Sequence, residues 1–156
     1  MTTLPTLTPE LTQEAICAAQ DAIHNGALPK VELTYDHYFA DGVYVRVMKC
    51  PAGALVIGKP HRTEHISILL KGSCTITNDD GTTQFIEAPL IVVTPPGKKK
   101  MALVHTDMEF INVHPTETTN LDEIEKRVII PEEEFRTMLL TAAELTKELT
   151  TNKEKA

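Results

Sequence analysis

The amino-acid sequence predicts one mainly β domain, a single antiparallel β-barrel or jelly roll held between an N-terminal helix and a C-terminal helix. Three observations predict it. Between Val31 and Val113 the apolar pattern has a period of two, as in Val43-Tyr44-Val45-Arg46-Val47. Turn punctuation at Asp41-Gly42, Pro51-Ala52-Gly53, Asp79-Asp80-Gly81 and Pro95-Pro96-Gly97 cuts that region into short strands with no long helical insert, the pattern of a sandwich or barrel rather than a βαβ sheet. On either side of it the period becomes helical.

The first helix has a start signal at Thr8-Pro9, a capping hydroxyl followed by a proline at the first helical position. Leu11, Ala15, Ala18, Ala19, Ala22 and Ile23 recur at helical spacing up to the stop at Asn25-Gly26. After His114-Pro115 comes a polar stretch, then Leu121 to Lys126 and a second start signal at Pro131 with glutamates behind it. Phe135, Met138, Leu139, Ala142, Leu145 and Leu149 mark one face of a helix of about four to five turns, and Thr150 to Ala156 reads as a frayed polar tail. The chain thus divides into a helical arm (1–30), a barrel (31–115) and a linker with the C-terminal helix (116–156), all in one domain.

With 156 residues, 42% of them apolar and 24% charged, the chain can bury an ordinary core. No run approaches the roughly 18 apolar residues of a membrane span, and the N-terminus has no leader pattern, so a cytoplasmic protein without a membrane partner is expected. A formal charge of −7 has the wrong sign for general nucleic-acid binding. Cys17, Cys50 and Cys74 stand at wide spacing with no C-x-x-C pair and read as reduced, small apolar residues. Nucleophile elbow, P-loop, dinucleotide fingerprint and protease motifs are all missing from the sequence, which leaves nucleotide-cofactor redox chemistry and serine hydrolysis without support.

The informative segment is His61-Arg62-Thr63-Glu64-His65, running into Ile66-Ser67-Ile68-Leu69-Leu70-Lys71-Gly72. On a strand, His61, Thr63 and His65 share one face, while Glu64, Ile66, Ile68 and Leu70 share the other. Two neutral imidazoles on one face need one or two further donors, from His105 or His114, to close a site for zinc, iron, nickel or manganese. From spacing alone, the same rings serve equally as hydrogen-bonding groups of a polar barrel interior.

The frame of this segment resembles the first motif of the cupin superfamily, over roughly Phe39 to Pro115. Aligned on Gly72, the family's two histidines and glutamate fall on Lys59, His61 and His65. The second motif aligns with Pro95-Pro96-Gly97-Lys98-Lys99-Lys100, so that lysine replaces its last ligand. His61-Arg62-Thr63-Glu64-His65, Val113-His114-Pro115-Thr116 and Leu121-Asp122-Glu123-Ile124-Glu125 are also similar to short, mostly uncharacterised cupin-like proteins of bacteriophages. The resemblance implies a cavity faced by Lys59 and Lys100, which suits a small polar or anionic molecule, and a host-cytoplasm setting if the protein is viral.

The remaining residues are weighed by position. The Lys98-Lys99-Lys100 run reads as a solvated turn. Glu64 points away from the histidine face, and His24 and His37 are structural. His105 falls in Val104-His105-Thr106-Asp107, a turn between two strands. Asn112 and His114 share a strand face and line the cavity if that face is the inner one; Thr63 joins them through the His61 parity. The leading reading is a small-molecule-binding protein with a histidine-lined pocket and a possible divalent metal. A metal-dependent enzyme of dioxygenase, isomerase or lyase type and a virion assembly protein are the alternatives, and catalytic residues are not assigned. Ile66, Ile68 and Leu70 form an outward apolar row, which predicts a homo-oligomer, a dimer or a ring.

Overall fold

The structure, a computed structural model, describes residues 12–155. The Thr8-Pro9 start signal lies outside the described residues. Within them α1 (Gln13–His24) is capped by Thr12, whose hydroxyl accepts from the Ala15 N–H at 3.1 Å. The helix stops at Asn25, where Gly26 turns left-handed with φ of 79°. The strands follow: β1 (Thr34–Ala40), β2 (Val43–Cys50), β3 (Leu55–Ile57), β4 (His65–Thr77), β5 (Thr83–Glu87), β6 (Leu90–Thr94) and β7 (Met101–Pro115). Two helices, α2 (Leu121–Val128) and α3 (Glu132–Glu154), close the chain. Every pairing is antiparallel, in the order β1-β2-β7-β4-β5, with β3 added to β7 and β6 to β4. The fold is therefore the expected antiparallel β-barrel with helices at both ends.

Cross-strand register gives the barrel a graded interior. Side chains two apart share a face, so the pairings define three inward rows. The first runs Thr94–His65 and His114–Tyr44–Phe39; the second Val92–Ser67–Asn112–Arg46–His37; the third Leu90–Leu69–Phe110–Met48–Tyr35. The first two rows are polar and the third is mostly apolar, leading into the apolar core of Cys50, Val56, Cys74, Val104 and Met108 packed on Leu69. The outward rows, Asp36–Val47–Ile111–Ile68–Ile91 and Tyr38–Val45–Val113–Ile66–Val93, carry a single charge, Asp36 on the edge strand β1.

The β4–β7 ladder shifts register between Leu69 and Cys74. Gly72 sits in this irregularity at φ of 89°, and a Cβ there would lie 2.4 Å from the Asp107 carbonyl oxygen. Only glycine fits the conformation and the close backbone approach together.

Four expectations are corrected. Lys99 is no solvated turn residue but a fully buried side chain at 1% exposure. Its ammonium donates to Gln20 and, at 2.6 Å, to Glu132, and lies over the Phe135 ring, while its backbone pairs with the Gln13 amide at 2.8 and 3.0 Å. Arg136 completes the clamp by bridging Glu132 and Asp21. Burial raises the Glu132 carboxyl, but its hydrogen bonds from Lys99 and Arg136 prevail and hold it at about 2. A charge buried in this way needs partners from α1 and α3, which no local pattern reveals.

His105 lies inside β7 rather than in a turn, because β7 runs unbroken past the bulge. The segment after Pro115 is not only a linker: α2 is capped by Asn120 and buries Ile124 against the barrel. The C-terminal tail does not fray at Thr150, since α3 continues to Glu154 with the Thr146, Thr150 and Thr151 hydroxyls donating to carbonyls four residues back. Only the start of α3 docks, through Phe135 and Leu139, and Met138, Leu145 and Leu149 are exposed.

Gly72→Ala is expected to lower stability by about 2–4 kcal/mol, the sum of a positive-φ penalty and the backbone overlap. Urea unfolding of the variant measures this, and a change below about 0.5 kcal/mol would contradict the tight-approach account.

Candidate functional site

A cavity of about 720 Å³ runs through the barrel, from the His61, His65 and His114 rings to the apolar Leu69, Cys74 and Met108. His65 begins β4, one residue beyond the Ile66–Val113 pair, which brings it beside His114 on β7. His61 arrives differently. The 61–64 segment is a bend rather than a strand, so the expected alternation of His61, Thr63 and His65 does not apply. His61 forms an isolated bridge with Ile129 at the end of α2, the Arg62 N–H donates to the Val128 carbonyl, and the Gly97 N–H of the Pro95-Pro96-Gly97 turn donates to the His61 carbonyl. Outside the cavity, Arg62 forms a bidentate pair with Glu134 of α3 at 2.6–2.8 Å. The C-terminal helices thus carry one histidine to the other two.

The three rings are buried at 7%, 7% and 2% exposure for His61, His65 and His114. Their centroids lie 4.1 Å (His61–His65), 4.8 Å (His65–His114) and 5.2 Å (His61–His114) apart. His61 Nδ1 and His65 Nδ1 are separated by 3.2 Å, and His65 Nδ1 is also 3.2 Å from the Thr63 carbonyl. Nδ1 of His114 is buried with no hydrogen-bond partner. Tyr44 stacks on His114, and its hydroxyl is 2.7 Å from Nδ1 of His37.

Burial drives the imidazole pKa values down, helped by Arg46 and, for His61 and His114, by the neighbouring rings: His61 to about 3, His114 to about 4, and His65 also below the ordinary value, although the Thr63 carbonyl opposes the shift there. All three are neutral near pH 7 and have lone pairs to give. One nitrogen from each ring falls within 4.8 Å of the others, and a first-row ion with bonds of about 2.0–2.2 Å would draw them in to about 3.3–3.6 Å. A neutral all-nitrogen set with an unpartnered buried nitrogen fits zinc, iron or nickel better than a hard, oxygen-seeking ion.

The other sequence candidates divide. Asn112 is buried in the second row; with its amide turned to the orientation that satisfies both its ends, the oxygen accepts from Arg46 Nη2 at 2.9 Å and the nitrogen donates to the Ile111 carbonyl at 3.2 Å. Lys59 and Lys100 line the cavity but are ion-paired, Lys59 with Glu125 of α2 and Lys100 with Asp79 at 3.3 Å. Thr63 is exposed on the bend and contributes its carbonyl to His65 rather than its hydroxyl to the cavity. His105 is exposed, 2.7 Å from the Thr75 hydroxyl and packed on Phe85, apart from the cluster. Sequence reasoning missed Tyr44, Arg46 and Ser67. The alternation in Val43-Tyr44-Val45-Arg46-Val47 was the available signal, with the polar rather than the valine face turned inward.

No family model matches the chain, and no curated protein matches it in sequence. Solved structures of similar shape include a cupin-2 domain containing protein from Shewanella frigidimarina (14% identity over 60% of this chain and 90% of that one, TM-score 0.44). An RmlC-like cupin family protein with a double-stranded beta-helix fold from Methanocaldococcus jannaschii is 18% identical over 57% of this chain and 84% of that one, with a TM-score of 0.45. KdgF from a Halomonas species is 13% identical over 62% and 89%, with a TM-score of 0.48. At these identities no residue's role transfers from those proteins to this chain.

The imidazoles set a pH dependence for the metal-free protein. Their folded pKa values lie below the unfolded value near 6.5, so the unfolded chain takes up protons first. Stability is complete above about pH 6.5 and falls on acidification toward the folded values, by up to about 1.4 kcal/mol per pH unit for each ring. Urea midpoints are expected to drop between pH 7 and 5, before the carboxylates titrate, and to drop less steeply in His61→Asn. A flat profile over that interval would show that the rings are not held neutral by burial.

Proposed function

We propose that the protein binds a first-row divalent ion through His61, His65 and His114 and holds a small polar molecule beside it in the barrel. The observation that carries this reading is the convergence of three buried, neutral imidazoles, one of them with an unpartnered nitrogen, at the polar end of a cavity of about 720 Å³. Such an ion supplies Lewis acidity toward a ligand oxygen. The chain does the rest. The Thr63 carbonyl orients His65, the Tyr44 ring backs His114, and α2 covers the cavity with Ile124 and Val128. Ser67, hydrogen-bonded to Thr94 at 2.7 Å, offers a hydroxyl in the second row.

Titration of chelator-treated protein with zinc, nickel, manganese and iron(II) tests the reading. The wild type is expected to take up about one ion per chain, most tightly zinc or nickel, and His61→Ala, His65→Ala or His114→Ala to weaken uptake at least about 100-fold. His65→Glu retains a site, because carboxylate oxygen and imidazole nitrogen bind at similar lengths. His105→Ala changes nothing. Uptake of none of the four ions by the wild type would end the metal reading.

We also propose a second copy of the chain as the cover for the outer sheet face. Its two central rows have one charge, Asp36 at the β1 edge, and leave Ile66, Ile91 and Val93 at 39%, 69% and 57% exposure, a surface that a symmetric dimer buries against itself. Light scattering is expected to give twice the chain mass, and Ile91→Lys with Val93→Lys to give the monomer with metal uptake intact. A monomeric wild type at tens of micromolar would contradict this.

A further inference from the structure

Arg46 is the one Lys or Arg side chain in the inward strand rows, among the described residues, and it has no carboxylate in ion-pair range. Its single side-chain hydrogen bond goes to a neutral group, the Asn112 amide oxygen, and its guanidinium lies 5.6 Å from the Tyr35 ring centre. A guanidinium has five N–H donors in a planar fork, so most of them remain open to the cavity. The surroundings reinforce this. Arg46, Lys59, Lys98 and Lys100 line the cavity against the carboxylates of Asp79 and Glu125 alone, so the pocket is cationic in a chain whose formal charge is −7. Lys98 stands exposed on the turn before β7, and Lys59 and Lys100 are already answered by Glu125 and Asp79. Arg46 is not.

We infer that Arg46 is the anchor for the carboxylate of a small organic acid whose apolar body lies on the third row. The inference rests on the reading of the cavity as a small-molecule site but not on metal. Its geometry comes from the register: Arg46 pairs with Asn112 in the second row, between the imidazole row and the Leu90–Leu69–Phe110–Met48 row. Rows two residues apart are about 6.5–7 Å distant along a strand, so a carboxylate on Arg46 has the imidazoles on one side and an apolar floor on the other. A planar fork matches the two oxygens of a carboxylate, and the apolar floor favours an organic acid over inorganic phosphate.

The test uses hexanoate and benzoate, with hexanamide and benzamide as uncharged counterparts and inorganic phosphate as the bare anion. Binding is measured by calorimetry to the full chain, once with chelator and once loaded with zinc. Wild-type protein is expected to prefer each carboxylate to its amide by about 10–100-fold in both states, the worth of charge-assisted hydrogen bonds, and to bind phosphate more weakly than hexanoate. Arg46→Met is expected to erase the preference while leaving zinc uptake as in the wild type, so that failure of the metal site and failure of this inference give different results. Arg46→Gln provides the same reading should Arg46→Met not fold, and the Lys59→Met, Lys100→Met double variant is expected to change hexanoate affinity less than about threefold, as for screened surface pairs. The inference is overturned if the chelated wild type shows no preference for carboxylate. It is also overturned if the preference survives loss of Arg46, if the lysine double variant abolishes binding, or if phosphate binds as well as hexanoate.

Discussion

The antiparallel ladder between β4 and β7 is the constraint on which the site depends. The Ile66–Val113 pair fixes which side chains of both strands face inward, and through it His65 meets His114 and Ser67 meets Asn112. A slip of one residue would exchange these groups for Ile66, Ile68, Ile111 and Val113, because strand side chains alternate faces. The register therefore holds the polar cavity and the apolar outer face at once. Gly72, pressed against the Asp107 carbonyl, marks where this ladder shifts register before it continues through the Cys74–Val104 and Ile76–Ala102 pairs.

Around that ladder, helices assemble what strands alone do not. His61 is outside any strand and reaches its partners through backbone contacts with Val128 and Ile129, so α2 is part of the site as well as its cover. The Lys99–Glu132–Arg136–Asp21 cluster ties α1 and α3 to the loop that leads into β7. One half-buried charge network thus anchors the helices, and a separate set of neutral rings lines the cavity. The difference lies in the partners: carboxylate and amide oxygens meet the Lys99 side chain, whereas burial, the other rings and Arg46 lower the pKa values of His61 and His114.

Much of the fold was legible in the sequence because its signals are local. The twofold period, the glycine turns, the Asn25-Gly26 stop and the Pro131 start correspond to elements of the structure. The meeting of His61 and His65 was legible too, although by a bend rather than by strand parity. The rest depends on distant partners. Lys99 reads as solvated until Gln20 and Glu132 are beside it, and His105 reads as a turn residue until β7 is seen to continue through the bulge. Arg46 was missed for a different reason. Sequence patterns assign apolar faces to the core, but this barrel is polar at one end, so the valines of β2 point outward and Tyr44 and Arg46 point in.

X-ray absorption at the metal edge of zinc- or nickel-loaded protein tests the central claim most directly, because the outer-shell scattering of imidazole rings is distinct from that of carboxylates and thiolates. The account predicts about three imidazole ligands at about 2.0–2.1 Å and no sulfur, with one ring lost in His114→Ala. A spectrum with fewer than two imidazoles, or with thiolate from one of the buried cysteines, would contradict it.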